Sequence, residues 1–239
     1  MSKLRMGTSG WSYDNWIGKF YPDGTSKSEM LDYYVSQFNS VEINATFYRL
    51  PFENMVKGWR NKAPDDFSYS VKGNRRITHY NKLQDIDDYL QRFLERIQQL
   101  GPALETIFWQ FPPSFEKDVD RLENFVRKLP EKPRFAFEFR DISWLDDEVY
   151  QLLEEHNSAI VWQSSGTFPD DCTVTADFIY IRFHGLEGGY KYSYSKSDLE
   201  PWADIIQKQL NEERDVHVYF NNTGGNAAKS VEMMKNLLG

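Results

Sequence analysis

Residues 134–141 are Arg134-Phe135-Ala136-Phe137-Glu138-Phe139-Arg140-Asp141. In an extended strand the side chains alternate between two faces, so the three phenylalanines lie on one face, opposite Ala136, Glu138 and Arg140. Charges on a buried strand face are costly unless they pair with one another or bind a ligand. The stretch therefore predicts a strand with an apolar side for packing and a polar side for a site.

Two other segments repeat this alternation. In residues 41–46, Glu42 shares the polar face with two other polar residues, and in residues 178–184 Arg182 and His184 share a face opposite isoleucine and phenylalanine. Both segments lie between stretches with helical patterns. If helices cover the apolar faces, the polar faces line an enclosed interior.

Strand-like and helix-like segments alternate along the whole chain. The predicted strands are Leu4–Gly10, Val41–Phe47, Phe67–Lys72, Glu105–Phe111, Phe135–Arg140, Ala159–Ser164, Phe178–His184 and Val216–Asn221. The predicted helices are Ser28–Phe38, Glu53–Ala63, Ile86–Leu100, Val119–Leu129, Asp147–His156, Leu199–Glu213 and Ala227–Leu238. The segment between Ser165 and Asp177 is too short and too rich in turn residues for a full crossover helix.

Eight strand-helix units favour an α/β fold, a single (β/α)8 TIM-type barrel with a short or missing sixth helix, as one domain over residues 1–239. A doubly wound open sheet is the alternative, but no Gly-x-Gly-x-x-Gly motif follows the first strand. The longest apolar runs are strand-length, and the beginning of the sequence shows no signal or acylation motif. We therefore expect a cytoplasmic protein without membrane contact.

The chain has 28 basic and 36 acidic residues and a net charge of −8, which makes nucleic acid an unlikely partner. A small-molecule ligand or substrate fits better, because the few inward basic groups suit a small anion. The single cysteine, Cys172, excludes an internal disulfide and is not expected to be a nucleophile.

Active sites of such barrels lie at the C-terminal ends of the strands, where this sequence places its charged residues. The candidate catalytic residues are Glu42, Lys72, Glu138, Arg140, Arg182 and His184. Arg140 would keep Glu138 ionised as base or nucleophile, which leaves His184 or Lys72 as the acid. The alternative is a buried salt-bridge network that only fills the barrel. A metal site built from Glu42, Glu138 and His184 is an alternative, but no His-x-x-x-His spacing is present, so we predict no metal ligands. The sequence identifies no cofactor.

Loops and strand ends supply candidate substrate-binding residues. Strand ends contribute Asn44, Gln110 and Asn221, and the aromatic first loop contributes Ser9, Trp11 and Tyr13, either as a stacking surface or as a cap on the barrel. Tyr194 belongs to the seventh loop. In the eighth loop, Gly224 and Gly225 precede a helix and could bind phosphate or could form an ordinary turn.

Taken together, seven motifs resemble the YecE-like family, the domain of unknown function 72, over essentially the whole length. They begin at Gly7, Phe38, Ser70, Gln110, Phe137, Arg182 and Phe220 and include Gly7-Thr-Ser-Gly-Trp11-Ser-Tyr13, Gln110-Phe-Pro-Pro113 and Phe220-Asn221-Asn222. The resemblance implies a TIM-type barrel with a shared pocket, and its motifs add Tyr48, His79, Trp144 and Asn222 to the substrate-binding candidates. The chain differs from the usual family pattern at Asp141 and Thr223. The resemblance supplies no reaction.

The leading hypothesis is an enzyme that performs acid-base chemistry, of hydrolase, isomerase or lyase type, on a small polar or anionic metabolite such as a sugar or sugar phosphate. A non-catalytic small-molecule binding or regulatory protein is the alternative. A nuclease or nucleic-acid-binding protein is the weaker alternative because of the negative net charge.

Overall fold

The computed structural model describes residues 2–187 and 189–239, which form two compact units. The first unit contains the chain up to Glu42 together with Trp162–Asp170 and Phe178–Gly239. The second unit contains Ile43–Val161 and Asp171–Asp177. A single domain over residues 1–239 stays a prediction.

Eight strands alternate with helices along the chain. The strands are β1 (Leu4–Thr8), β2 (Ser40–Ile43), β3 (Ser68–Lys72), β4 (Leu104–Gln110), β5 (Arg134–Glu138), β6 (Ala159–Ser165), β7 (Phe178–Gly185) and β8 (Asp215–Phe220). They pair in parallel, in the order β1-β8-β7-β6-β5-β4-β3-β2. A parallel bridge joins Ser9, directly after β1, to Glu42 of β2. This is the strand order of a (β/α)8 TIM-type barrel, which confirms the predicted fold class.

The helices are α1 (Met30–Gln37), α2 (Ala45–Tyr48), α3 (Glu53–Lys62), α4 (Asp87–Ile97), α5 (Val119–Val126), α6 (Asp147–Glu155), α7 (Lys196–Asn211) and α8 (Ala227–Leu238). Residues 166–177, between β6 and β7, contain no helix. The helix of the sixth strand-helix unit is therefore missing, as predicted, and α6 is the helix that follows β5. No helix within residues 2–187 and 189–239 combines the length and apolar character that crossing a bilayer requires.

Strand β5 has the two faces that its sequence predicts. The ring of Phe137 makes an edge-to-face contact with Phe125 of α5, with 6.3 Å between ring centroids, so the phenylalanine face packs against a helix. Ala136 and Glu138, on the opposite face, are also completely buried. Burying each large apolar side chain contributes roughly 1.5–3 kcal/mol, and this packing fixes which face carries the carboxylate.

The predicted strand Val41–Phe47 is wrong in its second half, because β2 ends at Ile43 and the chain turns into α2. Asn44 has helical backbone angles, φ −97° and ψ −14°. The hydroxyl of Thr46 donates to the carbonyl of Lys72 at 2.7 Å, and the Asn74 amide donates to the carbonyl of Thr46 at 2.7 Å. Hydrogen bonds to the end of β3 therefore hold a turn that the alternating sequence does not reveal.

Candidate functional site

Three neighbouring strands of the second unit each end in a polar residue. Lys72 is the last residue of β3, Gln110 the last of β4 and Glu138 the last of β5, while Arg140 follows two positions later. In the parallel register Gln110 is paired with Glu138. We call these four residues the Lys72 cluster.

The Lys72 cluster is a continuous chain of hydrogen bonds. The Nζ of Lys72 donates to Oε1 of Gln110 at 2.8 Å, and Nε2 of Gln110 donates to Oε1 of Glu138 at 2.8 Å. Arg140 forms an ion pair with the same carboxylate, which is completely buried, whereas the Arg140 side chain keeps 21% of its surface exposed. Because an ammonium can only donate and a carboxylate can only accept, these partners fix the orientation of the Gln110 amide.

Aromatic rings surround the ammonium group of Lys72. Its Nζ lies 4.3 Å from the centroid of the Phe47 ring and 5.7 Å from that of Phe108, both within cation-π range. The ring of His79 contacts Phe47 edge-on at 4.8 Å, and its Nδ1 lies 2.9 Å from the Thr78 hydroxyl. Burial, and after it the positive charge of Lys72, lowers the pKa of His79 to about 4, so this imidazole is neutral near pH 7.

A second group of polar residues, which we call the Glu42 cluster, lies in the first unit. It consists of Ser9, Glu42, Tyr180, Arg182, His184 and Asn221. Arg182 binds the carboxylate of Glu42 at both oxygens, with Nε to Oε2 at 2.8 Å and Nη2 to Oε1 at 2.7 Å. The hydroxyls of Ser9 and Tyr180 donate to the same carboxylate at 2.6 and 3.0 Å. Four hydrogen bonds to a carboxylate favour its ionised form and suit it to holding Arg182 in place.

His184 lies between Arg182 and Asn221. Its Nε2 is 3.4 Å from Nη1 of Arg182, and its Nδ1 is 3.1 Å from the amide of Asn221. A guanidinium only donates, so Nε2 serves as the acceptor and the proton of the neutral ring belongs on Nδ1. The Nδ1–H group then needs an acceptor, so the oxygen of the Asn221 amide should face it. The oxygen and nitrogen of such an amide are assigned from their hydrogen bonds. His184 therefore lies between a fixed guanidinium and the Asn221 amide.

The aromatic first loop packs against its own unit. The ring of Tyr13 lies 4.7 Å from that of Trp16, and the ring of Phe20 contacts Tyr33 of α1 edge-on at 5.4 Å. The backbone carbonyl of Trp11 accepts a hydrogen bond from Tyr21. These contacts support the interpretation of the loop as a cap, with the half-buried side chains of Trp11 and Tyr13 as its outer members.

Tyr194 is buried in the first unit, where its hydroxyl joins two loops. It accepts a hydrogen bond from the backbone N–H of Gly185 at 2.9 Å and lies 3.1 Å from the hydroxyl of Ser164. Burial raises the pKa of Tyr194 to about 12, so the phenol stays protonated at neutral pH. Its contacts support a role in shaping the seventh loop.

The eighth loop uses its backbone groups internally. The N–H of Gly224 donates to the carbonyl of Tyr190, and the N–H of Gly225 donates to that of Asn222, both at 2.9 Å. The side-chain amide of Asn222 donates to the carbonyl of Tyr192 at 2.9 Å. Gly225 is required here, because an added Cβ would lie 2.2 Å from the Tyr192 carbonyl oxygen. These hydrogen bonds support the ordinary-turn interpretation, and phosphate binding at these glycines stays a prediction.

The other predicted binding residues of the second unit, Asn44, Tyr48 and Trp144, differ from one another in burial. Asn44 is half-buried at the turn after β2. Tyr48 is 64% exposed, and the Arg75 guanidinium lies 5.3 Å from its ring. Trp144 is completely buried and donates its indole N–H to the carbonyl of Phe115, which supports a structural role in the loop after β5.

The structure thus places all six predicted catalytic residues in two clusters, each within its own unit. Sequence reasoning missed Tyr180, although strand alternation puts it on the same face as Arg182 and His184. It also missed Phe47 beside Lys72, which no sequence pattern signals. Within the described part of the chain, no group of three His, Cys, Asp or Glu side chains is arranged to hold a metal ion.

Comparison with known proteins identifies the family. The family model described as "Protein of unknown function DUF72" matches residues 5–239. UPF0759 protein YunF of Bacillus subtilis is 28% identical over 98% of this chain and 94% of its own length, and UPF0759 protein YecE of Escherichia coli is 31% identical over 57% of this chain and 48% of its own. The crystal structure of a DUF72 family protein from Thermotoga maritima superposes with a TM-score of 0.89, at 30% identity and 99% coverage of both chains. As its motifs predict, this chain belongs to the DUF72 family of proteins of unknown function.

Proposed function

We propose that the protein is an enzyme that performs acid-base chemistry on a small polar or anionic metabolite, as a hydrolase, isomerase or lyase. The observation that carries this proposal is the Lys72 cluster. The terminal residues of three adjacent strands carry an ammonium, an amide and a carboxylate in one hydrogen-bonded chain. In (β/α)8 enzymes the catalytic groups occupy these strand ends.

Glu138 is the proposed general base. Its carboxylate accepts from Gln110 and pairs with Arg140, and both partners favour the ionised form that a base requires. Lys72 is the proposed partner for negative charge that develops on the substrate, because its ammonium is oriented by Gln110 and largely shielded from water. In this proposal Gln110 positions both charged groups.

Glu42 has a different proposed role. Both oxygens of its carboxylate accept from Arg182, and the hydroxyls of Ser9 and Tyr180 donate to the same carboxylate, so this side chain is suited to holding the guanidinium in place. We therefore propose Glu42 as a positioning residue for Arg182. His184, which lies beside that guanidinium, and Asn221, whose side chain contacts His184, are proposed ligand contacts.

A thermal-shift screen followed by turnover assays tests the proposal. The screen uses sugar phosphates, polyols, organic acids and nucleotides on wild-type protein and on Glu138→Gln. The matched control is Glu123→Gln, which removes a carboxylate that pairs with an arginine at the surface of the same unit. A ligand at about one hundred times its Kd adds roughly 2.7 kcal/mol to the stability of the protein.

We expect a stabilising ligand that wild type and Glu123→Gln both convert and that Glu138→Gln does not. Full turnover by Glu138→Gln would exclude Glu138 as the base. A ligand that binds tightly and is recovered unchanged from wild-type protein would support the alternative, a non-catalytic binding protein.

A further inference from the structure

Lys72 differs from the other lysines of the described chain in its burial. It is the one lysine there with less than a tenth of its surface exposed, and the others are half-buried or exposed. A buried lysine loses hydration that stabilises its charge, which makes the neutral amine easier to reach. Lysines in such settings act as nucleophiles toward carbonyl compounds in many enzymes.

The immediate surroundings of the amine also fit a nucleophile. The Phe47 and Phe108 rings lie beside Nζ and limit its contact with water. The Gln110 oxygen accepts a hydrogen bond from Nζ and so directs one Nζ proton away from an incoming substrate. Glu138, one hydrogen bond further along, offers a carboxylate that can take up protons during the reaction.

We propose that Lys72 forms an imine with the carbonyl carbon of a small aldehyde or ketone that also carries a carboxylate or phosphate group. This inference rests on the proposed enzyme function, specifies its substrate class and gives Lys72 a covalent role in place of the electrostatic one. Arg140, whose side chain is 21% exposed beside Glu138, is the proposed contact for the anionic group.

The step is balanced without an oxidant or reductant. The Lys72 ammonium first releases one proton to solvent, and the neutral amine then attacks the carbonyl carbon. A C–N bond forms as the C=O π bond opens, and a proton moves from nitrogen to the former carbonyl oxygen to give a carbinolamine. The C–O bond then breaks, a second nitrogen proton departs with the hydroxyl as water, and the C=N bond forms. Glu138 is placed to accept and return the proton that the adjacent substrate carbon would lose.

Borohydride reduction tests this proposal directly. Wild-type protein is incubated separately with pyruvate, which carries a carboxylate, and with glyceraldehyde 3-phosphate, which carries a phosphate, and each mixture is reduced. Intact-mass measurement and peptide mapping then locate the secondary amine that reduction of an imine leaves. The two substrates distinguish the two sources of the anionic group.

Lys72→Arg keeps a positive charge but cannot form the imine. The matched control is Lys82→Arg, since Lys82 is a half-buried lysine of the same unit whose Nζ also lies over an aromatic ring, 5.9 Å from Phe115. We expect an adduct on Lys72 in wild type and in Lys82→Arg, and its loss in Lys72→Arg. If Lys72→Arg does not fold, peptide mapping of the wild-type adduct decides the matter alone.

An adduct spread evenly over surface lysines, or none from either probe, would overturn the imine proposal. If a ligand from the thermal-shift screen is converted while Lys72 stays unmodified, the imine is wrong and the acid-base proposal stands. If no ligand stabilises the protein or is turned over, the acid-base proposal fails as well.

Discussion

Arg182 binds both carboxylate oxygens of Glu42, through Nε at 2.8 Å and Nη2 at 2.7 Å, with 1% and 0% of the two side chains exposed. Removing one partner of such a buried pair leaves the other charge uncompensated. The ion pair is therefore a specific point at which the first unit can be destabilised.

We expect Arg182→Met to lower the free energy of unfolding by about 3–5 kcal/mol, measured by urea denaturation. The double variant Glu42→Gln/Arg182→Met should lose less than the sum of the two single variants, because neither partner then remains as a buried charge. The control is Arg127→Met, which breaks the exposed pair with Glu123 and should cost within about 1 kcal/mol. Equal losses in the buried and the exposed variant would contradict this account.

Gln110 hydrogen-bonds to both Lys72 and Glu138, so Gln110→Glu should lower the stability of the protein by an amount that depends on pH. One oxygen of the new carboxylate would keep the contact with Lys72, while the other would replace the N–H donor to Glu138 with a second negative charge. Like charges at this contact raise a carboxyl pKa above its unfolded value. The stability loss is then fully present at pH 7, where we expect roughly 1–3 kcal/mol, and it shrinks as the pH falls and one carboxyl takes up a proton.

Urea denaturation of wild type and Gln110→Glu at pH 7 and pH 5 measures the difference in their free energies of unfolding. Gln91→Glu is the matched control, because Gln91 also donates to a carboxylate, that of Glu95, but on the surface of α4. A deficit of Gln110→Glu that grows toward pH 5 would refute the proposed like-charge contact.

The lowered pKa of His79 predicts a second dependence of stability on pH. Its folded pKa of about 4 lies below the usual value of 6.5, so folding favours the neutral ring. The stability that this ring contributes is complete above about pH 6.5 and is lost as the pH falls from there through 4. The C–H resonances of the His79 ring should accordingly stay at neutral-ring positions in an NMR titration down to about pH 5. The signals are assigned by their absence from the spectrum of His79→Asn. A titration midpoint near pH 6.5 would show that burial does not lower the pKa of this ring.

Replacing Gly7 or Gly58 with alanine should have opposite effects on stability. A Cβ at Gly7 would lie 1.9 Å from the backbone carbonyl oxygen of Ser40, which cannot move without separating β1 from β2. A Cβ at Gly58, within α3, meets no atom within 4 Å. We expect Gly58→Ala to raise the free energy of unfolding by about 0.5–1 kcal/mol and Gly7→Ala to prevent native folding, as measured by denaturation and circular dichroism. A stable Gly7→Ala protein would disprove the close approach of the two strands.

The strand faces could be predicted from the sequence because alternation is a local property. The phenylalanines of 135–139 and the carboxylate of Glu138 take the faces that the pattern assigns. The end of β2 could not be predicted, since the turn at Asn44 depends on Thr46 bonding to Lys72, which is distant in sequence.

Pairing within the candidate site could be predicted only in part. Strand alternation puts Arg140 on the same face as Glu138, but it does not identify Arg182 as the partner of Glu42. The structure pairs Glu138 with Arg140, two positions away, and Glu42 with Arg182, which is 140 positions away and therefore outside any local pattern. Gln110 was recognised as a strand-end residue, but its bridging role requires partners on two neighbouring strands.

The Glu42 carboxylate receives hydrogen bonds from Ser9, Tyr180 and Arg182 at once. Replacing any one of these residues alone leaves a buried polar group without its match, whereas joint replacement by apolar residues does not. Over evolutionary time such a group should be inherited as a block: related chains that have exchanged Arg182 should have exchanged Glu42 as well, and intermediates with only one of the two should be rare.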